Sequence, residues 1–305
     1  MNAVLFALLC VIWGSTWLVI KVGYGGLGPF NVAALRFFVA AAILAVVTPV
    51  IGARWPRGRT EWALATWVGV LLFAGDYGLI YWGEQYLTSG LTAILFATLP
   101  LITLVLAHNY LPSERLTVRK ATGAVVAFLG VVALFGERAR IDVRAVGPMA
   151  SIIGAAACAA AANVATKRHG ASLHPAALNA SAMLIGAIVL ATWSVAVGDG
   201  FRFPAERSAW LAILYLSVIG SVVAFLVYFS LMKKWRASTL SFVGVFMPTI
   251  ALLLGAIVLH EPLTRWTIVG AVLILAGVTL TLAPARPAET RRTSAPTIVA
   301  GTDRM

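Results

Sequence analysis

Residues 114–130 read ERLTVRKATGAVVAFLG, and residues 261–277 read EPLTRWTIVGAVLILAG. Both stretches contain glutamate, leucine and threonine followed by two glycines, and every spacing is the same in the two copies. Each copy also follows a proline that lies in an apolar run, Pro100 in the first and Pro248 in the second. The chain therefore contains an internal repeat, two copies of one unit.

The composition is that of a membrane protein. The 305 residues are 61% hydrophobic and 11% charged, with a mean hydropathy of +0.93, whereas soluble domains carry about 25% charged residues. So few charges could not cover the surface of a soluble fold of this length. The net charge of +12 comes from cations in short loops between apolar stretches, which indicates membrane topology and not a nucleic-acid partner.

Apolar runs of about 20 residues predict membrane-spanning helices. Ten occur, near 3–21, 29–51, 62–82, 86–107, 120–136, 147–167, 175–197, 209–232, 237–259 and 266–283. Because each unit has an odd number of spans, the second unit must be inverted relative to the first. Inverted repeats are the construction of many secondary transporters, with the substrate site near the midplane between the halves. We expect one unit over 1–136, its inverted copy over 147–283, and a disordered cytoplasmic tail over 284–305.

The lysines and arginines of the loops predict the orientation. Fifteen loop and tail cations fall on one side of this topology and six on the other. Cytoplasmic loops are the richer in Lys and Arg, so both termini are expected in the cytoplasm, in a multi-pass protein of the cytoplasmic membrane. The 137–146 loop, with three arginines on the sparser side, is the exception. The first residues lack the positive region and cleavage site of a signal peptide, so the opening segment is predicted to be a retained span.

Further motifs occur along the first half. They are WGSTW at 13–17, then Lys21, Pro29 and Arg36-Phe37, YLTS at 86–89 and LPL at 99–101. With the two repeated stretches, they resemble the EamA-type family of the drug/metabolite transporter superfamily over about residues 3–283. The resemblance implies ten helices in two inverted halves, a central cavity, and movement of small metabolites such as amino acids or nucleosides, often outward. The second half departs from it, with Ala161-Ala162-Asn163 where the first has Trp13-Gly14-Ser15.

Four ionisable residues lie inside predicted spans, and they are Lys21, Arg36, Asp76 and Glu84. Such residues are costly in lipid and indicate function. At 1.5 Å per residue, all four fall in the outer third of the membrane, where cations and acids could pair. Asp76, the deepest acid, has small neighbours and is the candidate proton carrier. Alternatively, Asp76 is bound to Arg36 or Lys21 and the pair holds helices together; both interpretations stay open.

Polar and aromatic side chains mark a predicted substrate cavity. The first helix is expected to be interrupted at Gly14-Ser15-Thr16, which would leave carbonyl groups for a ligand. Aromatic side chains would form flat walls, unless they pack or form an interfacial belt. The candidates for the wall are Trp13, Ser15, Thr16, Trp17, Tyr77, Tyr81, Asn163 and Tyr228. Pro100 and Pro248 should kink the fourth and ninth helices beside the cavity.

The remaining motifs indicate packing. Helices one, three, four, six, eight and nine are expected to surround the cavity, with five and ten outside. Glycines seven residues apart on those two outer helices suit packing or a dimer seam, so a monomer and a homodimer both remain open; they are Gly123, Gly130, Gly270 and Gly277. Glu114 and Glu261 are expected to cap the starts of the fifth and tenth helices, where an acid complements the helix dipole.

The sequence offers no catalytic or metal-binding pattern. Cys10 and Cys158 lie in apolar segments, and the histidines form no group with metal spacing. We therefore expect no enzyme, no metal and no cofactor. The sequence predicts a secondary active transporter, an exporter of a small metabolite, with protons as a possible coupling ion. The alternative is a membrane channel or scaffold without coupled transport.

Overall fold

The protein is described by a computed structural model over residues 2–110, 117–170, 172–232 and 243–282. Within these ranges the regular structure is helical and contains no strand, which confirms the all-helical class. Seven helices there are long and apolar enough to cross a membrane, and shorter apolar helices cover Phe246–Val258 and Arg265–Thr281. Several predicted features lie outside the described residues: the tail at 284–305, Glu114, and the loop cations Arg115, Lys233, Lys234 and Arg236.

Each predicted span overlaps helical structure in the described residues. In the first half they are α1 (Asn2–Val22), α2 (Pro29–Val50), α3 (Arg59–Glu84), α4 (Ser89–Phe96 and Leu99–Tyr110) and α5 (Val118–Ile141). In the second half they are α6 (Val146–His169), α7 (Pro175–Ala196), α8 (207–232), α9 (Val243–Val258) and α10 (Arg265–Leu282). Pro29 and Pro175 occupy the first position of α2 and α7, where the missing N–H has no helical partner in any case.

Helix packing follows the repeat. α5 lies along α10, α2 along α7, and α4 against α9, so equivalent helices meet. Several further contacts come in matched pairs: α1 with α9 and α6 with α4, α1 with α8 and α6 with α3, α2 with α8 and α7 with α3. Exchanging the two halves leaves these contacts unchanged, whereas the contacts of α2 with α3, α1 with α4 and α4 with α10 have no counterpart of similar extent among the described residues.

The repeated glycines bring α5 and α10 together within one chain. A Cβ added at Gly130 would lie 2.8 Å from the carbonyl oxygen of Gly270, and one added at Gly123 would lie 2.6 Å from that of Gly277. Backbone meets backbone at both places, an approach that only small residues permit. Of the two interpretations of these glycines, packing between α5 and α10 is the one that the structure shows.

The two central prolines differ in their local structure. α4 breaks between Phe96 and Leu99, immediately before Pro100, whereas α9 continues as one helix across Pro248. Thr98 donates from its hydroxyl to the carbonyl oxygen of Leu95 at 2.7 Å at the break. The symmetric kink that the sequence predicts is thus a break in one half and an unbroken helix in the other.

Candidate functional site

The middle of α3 and of α8 is π-helical in each half. The π-helical segments cover Gly69–Asp76 and Tyr215–Val223, which are equivalent positions of the repeat. Hydrogen bonds in such a segment run from residue i to i+5, and π segments are frequent at functional sites. These π-helical segments were not predicted from the sequence. The glycines at 69, 75 and 220 were the available signal, because glycine tolerates a distorted backbone.

Arg36 lies on α2 between these two segments and is only 1% exposed. Its Nε donates to the hydroxyl of Ser221 at 3.2 Å, and its Nη1 donates to the hydroxyl of Tyr81 at 3.4 Å. The guanidinium carbon lies 4.8 Å from the ring centre of Tyr77 and 5.2 Å from that of Phe37. Hydroxyls and aromatic faces therefore hold this buried cation, and it joins α2, α3 and α8.

Asp76 ends the π segment of α3 and is 2% exposed. Its Oδ1 has no hydrogen-bond partner among the described residues. The ion pairs of the described ranges are Lys21–Glu261 and Arg54–Glu61. No lysine or arginine nitrogen in those ranges therefore lies within 4.0 Å of the Asp76 carboxylate. Arg36 acts on it electrostatically from beyond that distance. The direct pair with Arg36 or Lys21, one of the two predicted alternatives, is absent from this arrangement.

The polar side chains of α1 face the π segment of α8. The hydroxyls of Ser15 and Tyr215 share a hydrogen bond of 2.8 Å, and Trp13 donates from Nε1 to the carbonyl oxygen of Gly220 at 3.3 Å. The Trp13 ring lies 5.4 Å from that of Tyr228. Ser217 donates its hydroxyl to the carbonyl oxygen of Arg36 at 2.9 Å. These contacts join the first half to the second, and Tyr215, Ser217 and Ser221 were not predicted from the sequence.

The predicted interruption of α1 is wrong. α1 is continuous from Asn2 to Val22. Ser15 and Thr16 donate their hydroxyl hydrogens to the carbonyl oxygens of Ile12 and Trp13, at 2.8 and 2.7 Å, so they bond within the helix without opening it. Gly14 serves close packing, since a Cβ there would lie 2.7 Å from the side chain of Ile250 on α9.

The other predicted wall residues differ in burial. Trp17 and Tyr81 are buried, and the Trp17 ring packs 5.4 Å from that of Phe96. Tyr77 and Pro100 are half-buried and Pro248 is buried, whereas Asn163 is exposed on α6. Among the described hydrogen bonds, none connects Asn163 to the Arg36 cluster.

Glu261 does not cap α10. It accepts hydrogen bonds from the Ser89 N–H at 2.7 Å, the Ser89 hydroxyl at 2.9 Å and the Gly90 N–H at 3.3 Å, which places it at the start of α4. The threonine of the same motif, Thr264, accepts from the N–H of Thr267 at 3.0 Å and so caps α10. His260, immediately before Glu261, has a φ of 52°. The backbone turns there, and Glu261 crosses to the other half.

Lys21 lies beside Glu261 and not beside Arg36. Its ammonium group donates to the carbonyl oxygen of Leu87 and lies 3.9 Å from Glu261 Oε1. Glu84 is close enough to Lys21 and Glu261 to interact with both electrostatically. The four predicted intramembrane charges thus form two sites, Arg36 with Asp76 and Lys21 with Glu84.

Comparison with known proteins identifies the family. The model of the EamA-like transporter family matches residues 1–136 and 148–283, which together are most of the chain. The chain belongs to this family. Similar proteins include the uncharacterized transporter YoaV of Bacillus subtilis, which is 29% identical over 275 residues, 88% of this chain and 92% of that protein. The uncharacterized inner membrane transporter YedA of Escherichia coli is 28% identical over 93% of this chain and 92% of its own length.

Two further similarities extend the EamA comparison. The probable terminal-alkyne amino-acid exporter of Streptantibioticus cattleyicolor is 28% identical over 90% of each chain. A solved crystal structure covers 92% of this chain and 96% of its own with a TM-score of 0.67, at 19% identity, which shows the fold alone. The chain is a multi-pass membrane protein of a transporter family, and the family and the names of these relatives indicate no catalytic activity.

Proposed function

We propose that this EamA-family protein is a secondary active exporter that moves a small metabolite across the cytoplasmic membrane by alternating access. The observation that carries the proposal is the buried Arg36–Asp76 layer, in which opposite charges share one level of the bundle without a direct ion pair. Ionisable side chains at such depth mark substrate or ion pathways. A substrate with a carboxylate and an amino group would complement both charges, and one relative is named an amino-acid exporter.

The proposed architecture is two inverted five-helix units, 1–136 and 147–283, around a cavity bounded by α1, α3, α4, α6, α8 and α9. The matched pairs of helix contacts between the halves support it. The paired π-helical segments at equivalent positions support it as well. In this proposal the cavity wall includes Trp13, Ser15, Thr16, Trp17, Tyr77, Tyr81, Pro100, Asn163, Tyr228 and Pro248.

Contacts between loops support the proposed orientation, with both termini in the cytoplasm. Arg54, in the loop before α3, donates to Glu61 at 2.7 and 2.9 Å. Glu61 also accepts at 2.9 Å from the hydroxyl of Ser172, which lies in the loop before α7. Charge counting assigns both loops to the cytoplasm. Lys21 at the end of α1 also meets Leu87 and Glu261, which lie in two loops assigned to the outside.

A flux assay with purified protein in proteoliposomes tests the proposal. Amino acids, nucleosides and organic cations are supplied as labelled substrates, with and without an unlabelled pool inside. The proposal expects saturable uptake and counterflow for at least one compound with carboxylate and amino groups. Unsaturable conductance would support the alternative, a channel, and no flux for any class would support a scaffold.

A further inference from the structure

A second polar cluster lies at one end of the helix bundle, where the two halves meet. We define the Glu261 end by Lys21, Glu84, Leu87, Ser89 and Glu261. Glu261 comes from the α9–α10 loop and holds the first residues of α4, while Lys21 at the end of α1 contacts both Glu261 and Leu87. The end is closely packed, since the Glu261 side chain is only 9% exposed. Separation of α4 from α9 there would break each contact of Glu261 with Ser89.

Glu84 is the one member of this cluster without a hydrogen-bond partner in the described part of the chain. It is 0% exposed, and both of its carboxyl oxygens are buried without a partner. An ionised carboxylate in that position would lose its hydration and gain no hydrogen bond in return, which is costly. A protonated carboxyl group carries no charge and avoids most of this cost.

The charges around Glu84 lead to the same protonation state. Two cations, Lys21 and Arg36, and one other carboxylate, Glu261, act on Glu84 electrostatically. Lys21 lies 3.9 Å from Glu261 Oε1 and Arg36 donates to Ser221 and Tyr81, so neither cation forms an ion pair with Glu84 in the described part of the chain. Glu261 has three donors besides Lys21 and is the better site for the negative charge. The remaining titratable neighbours of Glu84 are Tyr24 and Tyr81. The hydroxyl of Tyr24 donates to the carbonyl oxygen of Tyr81 at 2.6 Å.

We propose that Glu84 is a proton-binding site, separate from the Arg36–Asp76 layer, and that the bound proton stabilises the closed form of the Glu261 end. Opening of this end hydrates Glu84 and lets it release the proton to water. Since the closed form holds the extra proton, lowering the pH favours closure and raising the pH favours opening. The inference rests on the proposed function in its link to alternating access, because a proton loaded from outside would close the outer end.

Disulfide crosslinking measures closure of the Glu261 end without any substrate. A Cβ at Gly90 lies 3.5 Å from the Cβ of Leu252 on α9, within the range of about 3.5–4.5 Å that a disulfide needs. The double variant Gly90→Cys/Leu252→Cys is made with Cys10→Ala and Cys158→Ala, which remove the two native cysteines. Its oxidation rate in nanodiscs is then followed between about pH 5 and about pH 9, the range in which a buried carboxyl group can titrate.

The decisive quantity is the crosslinking rate of this protein divided by that of the same protein carrying Glu84→Gln. Thiol chemistry cancels in the ratio, because both proteins contain the same cysteine pair. We expect a ratio near one at the acidic limit and a several-fold fall at the alkaline limit, since glutamine cannot ionise. A ratio that stays constant with pH overturns the proposal.

Two further variants keep the result decisive. Glu84→Met has a similar shape and no charge, and it should fold and close like Glu84→Gln; failure of both variants to fold would show an ionised structural glutamate and overturn the proposal. Asp76→Asn should leave the pH dependence of the ratio unchanged, and abolition of that dependence would assign the proton to Asp76 instead. Because the assay needs no transport, absence of flux in proteoliposomes would refute the proposed function without affecting this result.

Discussion

At the scale of single residues, two charged groups, Arg36 and Glu261, are held mainly by hydroxyls and backbone amides. Arg36 bonds two hydroxyls, and Glu261 bonds two backbone N–H groups and one hydroxyl. The sequence identified Arg36 and Asp76 as functional candidates because charges in apolar spans are rare. It could not identify Ser221 as a partner, because 185 residues separate it from Arg36 and serine in an apolar segment has no distinctive signal.

Asp76→Asn tests the cavity acid of the proposed function. Asparagine keeps the size of the side chain and cannot exchange a proton, so gradient-driven flux should be abolished while counterflow continues. The matched control is Asp142→Asn, at an exposed residue that caps a short 3₁₀ turn, where asparagine caps equally well. Normal gradient-driven flux in Asp76→Asn would contradict the prediction, as would poor folding with loss of both activities.

Ser221→Ala tests the partner of Arg36. The substitution leaves the buried Nε of Arg36 without its acceptor, which should lower the free energy of unfolding by about 1–3 kcal/mol. Ser208→Ala is the control, because Ser208 is exposed and bonds only the exposed Glu206. Thermal unfolding in detergent measures both, and equal stabilities of the two variants would show that the Ser221 hydroxyl does not support Arg36.

At the scale of helices, hydropathy predicted that helices occur. It did not predict helix breaks and caps, which depend on contacts with neighbouring helices. The predicted break at Gly14–Thr16 is absent because the hydroxyls bond within α1. The cap of α10 was assigned to Glu261, but Thr264 performs it, because the turn at His260 directs the glutamate to α4. Local sequence cannot show which helix end a loop residue will reach.

Amide hydrogen exchange separates the two capping roles. Glu261→Ala should accelerate exchange at the N–H groups of Ser89 and Gly90, at the start of α4, and leave Thr267 protected. Thr264→Ala should do the reverse, since its hydroxyl accepts from Thr267. Faster exchange at Thr267 than at Ser89 in Glu261→Ala would refute the contact between the halves.

Gly130→Ala tests the close approach of α5 and α10. The added Cβ would meet the Gly270 carbonyl oxygen at 2.8 Å, and the backbones must move apart, at a cost of about 1–3 kcal/mol. Gly147→Ala is the control, because a Cβ there has nothing within 4 Å. Chemical unfolding of the two variants should differ by this amount, and equal stability would mean that the α5–α10 contact is looser than described.

At the scale of the whole molecule, the repeated stretches at 114–130 and 261–277 predict the two units, with α5 and α10 outside the proposed cavity. The matched helix contacts and paired π segments agree with that organisation. Hydropathy along the chain identifies the four charged residues that lie in apolar spans. Their division into an Arg36 site and a Lys21 site could not, because it depends on how helices of different halves are placed side by side.

The central claim, alternating access through separation of the halves, is tested most directly by locking the Glu261 end during transport. The variant Gly90→Cys/Leu252→Cys, without native cysteines, is reconstituted in proteoliposomes, and counterflow is measured after oxidation and again after reduction. Each single-cysteine variant serves as the control. Our account predicts that oxidation stops counterflow in the double variant alone and that reduction restores it. Undiminished counterflow through the fully crosslinked protein would contradict the account.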